Sequence, residues 1–144
     1  MLQPSDKIAL FMEGHLQSDY GKMGFGVLRY AKNEIVAVVD SQFAGQDLAK
    51  ITGIPHQAPI VNSIEESQKK GANVLIIGIS PSGGRIPQDW LVLIETAIKA
   101  GMSVVNGLHD LLSQRFQDLC QGKNQWIWDV RVPQTTPPIA TAKA

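Results

Sequence analysis

The chain has 144 residues, 44% of them hydrophobic and 18% charged, and its formal net charge is zero. That length suits one domain with one substantial core, and the balanced charge excludes the electrostatic footprint of a nucleic-acid or anionic-membrane binder. No apolar run approaches the roughly 20 residues that span a bilayer, and the opening "MLQPSDK" lacks a signal-peptide pattern. The lone Cys120 excludes an intrachain disulfide or cysteine-cluster metal site, so a cytoplasmic protein is expected.

Strand-like and helix-like segments alternate along the chain. "KIALFM" (7–12) is a short apolar run suited to a buried parallel strand. A helix is predicted over 22–31, with Met23, Val27 and Tyr30 or Ala31 on one face. "EIVAVVD" (34–40) is a second strand, rich in β-branched residues. A short helix over 46–52 is stopped by "GIP", and "APIV" (58–61) is a third, weaker strand. Residues 63–70 begin with Ser63-x-x-Glu66, a capping-box pattern, and Gly71 follows their end. "NVLIIGI" (73–79) is the strongest strand pattern. The helix predicted over 88–100 has Pro87 near its first turn, Gly101 after it, and an apolar stripe of Trp90, Leu91, Ile94, Ala97 and Ile98. "MSVVNG" (102–107) is a fifth strand. A helix over 109–120 carries Leu111, Leu112, Phe116 and Leu119, with Cys120 as a small hydrophobe at its end. "QWIWDVRV" (125–132) reads as a sixth strand, with Trp126 and Trp128 on one face.

This alternation of buried strands and helices predicts an α/β fold: a Rossmann-like three-layer α-β-α sandwich around a mostly parallel sheet of five or six strands. The expected strand order is 3-2-1-4-5-6, with the short third strand at an edge. A flavodoxin-like five-strand order is the alternative. The end, "VPQTTPPIATAKA", has three prolines, three threonines and no periodicity, and reads as a linker, an extended arm or a frayed tail.

In such a sheet ligands bind at the carboxyl ends of the strands, where strand order reverses. Here that point is flanked by residues 13–22 and by "SPSGGRIP" (80–87), which runs from Ser80 through Gly83, Gly84 and Arg85 into a helix. Backbone N–H groups at a helix start favour anions, and Arg85 can add a bidentate grip on a phosphate or carboxylate. A turn with a solvated arginine is the plain alternative.

The first loop fits neither common phosphate motif. Six residues separate Gly14 from Gly21-Lys22, and Met23 stands where a P-loop needs a hydroxyl. Gly21, Gly24 and Gly26 give G-x-x-G-x-G, later than a dinucleotide fingerprint and in reverse order. Lys22 reads equally as an anion partner or a solvated lysine. Asp40, at the end of the second strand, stands where a dinucleotide fold keeps an acid for ribose hydroxyls, and reads equally as a turn acid. His15 and His109 both fall in loops at the carboxyl ends of strands, and His109–Asp110 is either a dyad or a helix opening. No histidine has metal-ligand spacing, and there is no G-x-S-x-G elbow.

"KIALFMEGHLQSDYGKMGFGVLRYAKNEIVAVVDSQFAGQ", "LIIGISPSGGRIP", "VVNGLHDLLS" and "IWDVRVP" together resemble the amino-terminal domain of the DUF1611 family, also called D-glutamate N-acetyltransferase-like. The resemblance runs from about residue 7 to 138. It implies a Rossmann-like domain over 1–130 and a proline-rich linker over 131–144. The linker would lead toward a second, P-loop domain absent from this chain. For the whole protein it implies acyl transfer from acetyl-CoA to the amine of D-glutamate, or a related nucleotide-dependent reaction. No catalytic residue on this chain follows from it, and the isolated domain is expected to be inactive. A weaker likeness joins "IPHQAPIVNSIEESQKKGANVLIIGISP" and "AIKAGMSVVNGLHD" to the CoA-binding domain of succinyl-CoA synthetases, whose early glycine fingerprint is missing here.

The combined expectation is a domain that holds a small anionic ligand through Gly14, Lys22, Asp40, Ser80, Gly83, Gly84, Arg85 and His109. Acetyl-CoA or a nucleotide is favoured over NAD(P), and no metal, nucleic acid or membrane is involved. The rivals are an NAD(P)-dependent oxidoreductase domain and a structural or oligomerisation domain, with Trp126 and Trp128 at the interface of a homo-oligomer.

Overall fold

The computed structural model describes residues 2–80, 85–121 and 124–130. Pro81–Gly84 and the tail 131–144 lie outside this set, and with them the candidates Gly83 and Gly84 and the linker reading.

Six strands form one sheet in which every pairing is parallel: β1 (Ile8–Phe11), β2 (Ile35–Val39), β3 (Ile60–Val61), β4 (Val74–Ile77), β5 (Ser103–Asn106) and β6 (Ile127–Asp129). Their order is β3-β2-β1-β4-β5-β6, the Rossmann-like arrangement, and the flavodoxin-like alternative is set aside. The central strands are apolar on both sides because both sides are covered: all four residues of β1 and of β4 are buried. The third strand keeps only two residues, and edge strands make only one set of ladder bonds.

Among the described residues five α-helices connect the strands: α1 (Lys22–Tyr30), α2 (Leu48–Thr52), α3 (Ile64–Lys69), α4 (Gln88–Lys99) and α5 (Leu112–Phe116). Right-handed crossovers put α1 and α2 on one face of the sheet, and α3, α4 and α5 on the other. Side-chain contacts agree with this. Met12, on the side of β1 shared with Ile8 and Leu10, meets α1 at Gly24. Phe11, on the opposite side, meets Trp90 of α4 edge-to-face, with ring centroids 5.7 Å apart. Such a pair contributes about 0.5–1.5 kcal/mol beyond its area burial.

The local start signals explain most helix boundaries. The Ser63 hydroxyl accepts from the Glu66 amide at 3.2 Å, and Glu66 Oε1 accepts from the Asn62 amide at 2.6 Å. The capping box therefore closes one residue earlier than the usual geometry. Asp47 caps α2 by accepting from the Ala49 amide at 3.0 Å, so that helix starts at Leu48 rather than at 46. The helix predicted over 109–120 is shorter: it starts at Leu112 and ends in a 3₁₀ turn, Gln117–Leu119. Its first amides take their acceptor from a distant strand, as described below, and no local residue could have marked that start. The sixth strand is likewise confined to Ile127–Asp129.

Candidate functional site

The carboxyl ends of the strands form a rim of loops tied to one another by hydrogen bonds. At the β1–β2 end, Gly14 takes a positive φ of 78° and donates its amide to Asp40 Oδ1 at 3.2 Å. The same oxygen accepts from the Gln42 amide at 2.9 Å, so Asp40 makes an Asx turn as well as a cross-loop tie. Asp40 is 0% exposed, and its Oδ2 is buried with no hydrogen-bond partner among the described residues. Burial pushes its carboxyl above the ordinary value, a push that the Gln42 and Gly14 amides oppose. Glu13 adds to the rise and His15 opposes it. Next to this tie, Glu13 accepts from the Ser41 amide at 2.9 Å and, by its other oxygen, from the Ser41 hydroxyl. His15 Nδ1 shares a 2.9 Å hydrogen bond with Ser18 Oγ, and its ring meets Tyr20 and Trp90 edge-on.

At the β1–β4 switch point the two loops touch directly. The Gly24 amide donates to the Gly78 carbonyl at 2.9 Å, and the Ser80 amide to the Tyr20 carbonyl at 2.8 Å. The Met12 thioether fills the space between them. A Cβ on Gly24 would lie 2.1 Å from Met12 Sδ, and one on Gly78 would lie 2.6 Å from the same sulfur and 2.8 Å from Gly24 Cα. Gly21 is equally confined, its Cβ position lying 2.5 Å from the His15 carbonyl. The glycines of this loop thus bring α1 against the end of β4.

On the β4–β5 side, Asp110 Oδ2 accepts from the Ile86 amide at 2.8 Å. That bond draws Arg85 and His109, its sequence neighbours on either side, to one part of the rim. Both are exposed, as are Gly14, Lys22 and Ser80. The described candidates therefore divide: five stand open along the carboxyl edge, and Asp40 lies buried beneath it.

Sequence reasoning missed Asp129. This carboxylate is 3% exposed and sits on β6. Its Oδ1 accepts from Asn106 Nδ2 at 2.8 Å and from the Leu112 amide at 2.9 Å. Its Oδ2 accepts from the Ser113 amide at 2.9 Å and from the Ser113 hydroxyl at 2.5 Å. Burial alone would raise this carboxyl. The hydrogen bonds from Ser113, Asn106 and Leu112 outweigh that and hold it below the ordinary value. An acid set among the aromatic and branched residues of "QWIWDVRV" was the available signal. Cys120 is half-buried against the core, and burial pushes its thiol up, the opposite of what a nucleophile needs.

A dinucleotide pyrophosphate needs free amides at the start of α1. Here the Gly14, Tyr20, Gly21 and Gly24 amides are already bonded, to Asp40, Ser18 Oγ, the Ser18 carbonyl and the Gly78 carbonyl. Asp40, the candidate ribose acid, is closed off from solvent. These residues do not fit NAD(P) in its usual pose.

Residues 41–133 match a family described as "Domain of unknown function (DUF1611_N) Rossmann-like domain". The chain belongs to the DUF1611_N family. A crystal structure of a DUF1611 family protein from Anabaena variabilis superposes on it with a TM-score of 0.85 and 41% sequence identity, covering 95% of this chain and 40% of that one. A D-glutamate N-acetyltransferase of a Pseudoalteromonas species is 40% identical over 83 residues, 56% of this chain and 24% of the relative. A D-glutamate N-acetyltransferase of Tritonibacter scottomollicae is 34% identical over 80 residues, 54% of this chain and 24% of the relative. The DUF1611_N chain thus spans about a quarter of the length of these curated relatives. Among its described residues no helix is long and apolar enough to cross a membrane.

Proposed function

We propose that this DUF1611_N chain is the amino-terminal, ligand-positioning domain of a longer protein that transfers an acyl group, acetyl by preference, to the amine of an amino acid such as D-glutamate. The observation that carries this reading is the 40% identity to a D-glutamate N-acetyltransferase. The rim supports it chemically. D-Glutamate presents two carboxylates and one ammonium at neutral pH, and Arg85 and Lys22 offer exposed cations along one edge, beside the exposed hydrogen-bonding ring of His109. In this reading the domain contributes orientation rather than bond-making. Acyl transfer forms a C–N bond and breaks a thioester C–S bond. The ammonium gives up one proton to free the amine and a second as the amide forms; the departing thiolate gains one, and the other goes to solvent. Acetyl-CoA supplies the thioester, and no residue of this chain is assigned a part in those proton transfers. The reacting centre, with its P-loop, belongs in this proposal to the polypeptide that follows residue 130, through the linker 131–144.

The test is thiol release by the full-length protein with acetyl-CoA and D-glutamate, with L-glutamate and D-aspartate as controls. Arg85→Ala should raise KM for the amino acid about 10- to 100-fold, as expected for a lost charge-assisted hydrogen bond of about 1.5–3 kcal/mol, and leave kcat nearly unchanged. No thiol release with any of the three amino acids would reject the acyltransferase reading. An unchanged KM in Arg85→Ala would remove that residue from the site.

A further inference from the structure

A parallel sheet of this kind is normally covered on both faces. On one face α3, α4 and α5 extend that cover across the sheet. On the other, α1 and α2 lie over β1, β2 and β3, α1 also reaches the end of β4 at Gly78, and among the described residues the crossovers place no helix over β5 and β6. The side chains there are not those of a solvated face. Ile76, Val105 and Trp128 are register partners in one row across the three strands. Val105, Trp126 and Trp128 are only half-buried. Beside this row, an open and mainly apolar hollow of about 500 Å³ is lined by Leu2, Ile8, Met23, Val27, Tyr30 and Ile76, and Tyr30 is 80% exposed. A β-branched and indole surface running to an edge strand is an association hazard unless something covers it.

The solved relative is much longer than the matched domain. This chain matches that protein over 95% of its own length but only 40% of the relative's, so most of the relative's polypeptide lies outside the matched domain. The described chain leaves the sheet at Val130, at the end of the edge strand that carries Trp128 on this face, and Val130 is 48% exposed. We propose that the half-face formed by Val105, Trp126 and Trp128, with Tyr30 on its flank, is the docking surface for the remainder of the same polypeptide beyond residue 144, which presents an apolar patch to it. The contact would supply the missing third layer over β5 and β6 and fix the orientation of the following domain relative to the carboxyl rim. It rests on family membership and on the uncovered row, not on the acyl-transfer reading, and its test reads no enzyme activity.

The experiment uses the full-length protein with Tyr30 replaced by the photo-crosslinker p-benzoyl-phenylalanine, an exposed position whose replacement leaves the core intact. Irradiation should give crosslinks within one chain, mapped by peptide mass spectrometry to residues beyond 144 and unchanged in yield on dilution. Adding Trp128→Arg should abolish them while the circular dichroism of the helices is retained. If Trp128→Arg unfolds the protein, Val105→Lys serves as the second variant. Crosslinks joining two copies, crosslinks confined to residues 131–144, or no crosslinks at all would each overturn the proposal.

Discussion

Replacing Asp129 with alanine removes the acceptors of four hydrogen bonds at once, donated by Asn106 Nδ2, the Leu112 and Ser113 amides and the Ser113 hydroxyl. The losses are unequal. Asn106 Nδ2 keeps its 2.7 Å bond to the Asp110 carbonyl, and the Ser113 hydroxyl is free to rotate. The Leu112 amide is buried and is left without an acceptor, at a cost of about 1–3 kcal/mol. The half-buried Ser113 amide and the lost capping of α5 add about 1 kcal/mol. Together these give about 2–4 kcal/mol, a large share of the 5–15 kcal/mol typical of a whole domain. For a chain of this size the melting temperature should fall by roughly 6–15 °C. Asp129→Asn, which keeps the shape but offers a donor where a second acceptor is needed, should cost about 2 kcal/mol. Thermal and urea unfolding followed by circular dichroism measure both variants. The pH dependence is a separate check. The folded-state carboxyl lies below its ordinary value, so its contribution is complete above the unfolded value of about 3.9 and is lost as pH falls through the folded value. The gap between wild type and Asp129→Ala should therefore narrow below about pH 4. A stability within about 0.5 kcal/mol of wild type at pH 7, or a gap that widens on acidification, would refute the reasoning.

Asp40 should behave in the opposite sense. Its carboxyl is raised by burial, so the folded state binds the proton more tightly and stability is lost as pH rises through the folded value. Asp40→Asn keeps an acceptor for the Gly14 and Gln42 amides and removes the buried charge. Its stability at pH 7 should equal wild type or exceed it by up to about 1 kcal/mol, with the difference vanishing toward pH 4. A loss of more than about 1 kcal/mol in urea unfolding would show that the charge itself is stabilising. Gly24→Ala should cost about 1–3 kcal/mol despite alanine's better helix propensity, because its Cβ would fall 2.1 Å from Met12 Sδ. Much of that loss should disappear when the substitution is made in a Met12→Ala background, and strictly additive losses in the double-mutant cycle would exclude Met12 as the cause.

Much of the fold was readable because its signals are local. The apolar runs ending in turn residues, the Ser63–Glu66 box and the Pro87–Gly101 bracket each act within a few residues of the element they define. The reversal of strand order followed from crossover handedness and the weakness of "APIV" as an edge strand. What could not be read depends on partners far away in sequence. The start of α5 is set by a carboxylate on β6. The glycines around residue 21 looked like a ligand loop because glycine has one appearance in sequence and two uses in structure, close packing and open backbone. Their neighbours in space, the Met12 side chain and the His15 carbonyl, distinguish them. Asp40 stayed ambiguous for a similar reason: one of its oxygens serves the turn, while the other is buried without a partner among the described residues.

The packing of Met12 against Gly24 and Gly78 also constrains how the family can diverge. Three chain segments meet at one sulfur, and neither glycine has room to accept a methyl group while Met12 stays unchanged. Substitutions at these positions should therefore be inherited as linked sets, with a side chain at position 24 or 78 tolerated only where residue 12 has become smaller. In an alignment of relatives this would appear as covariation between the end of the first strand and the end of the fourth, and it should persist in members that have changed their ligand.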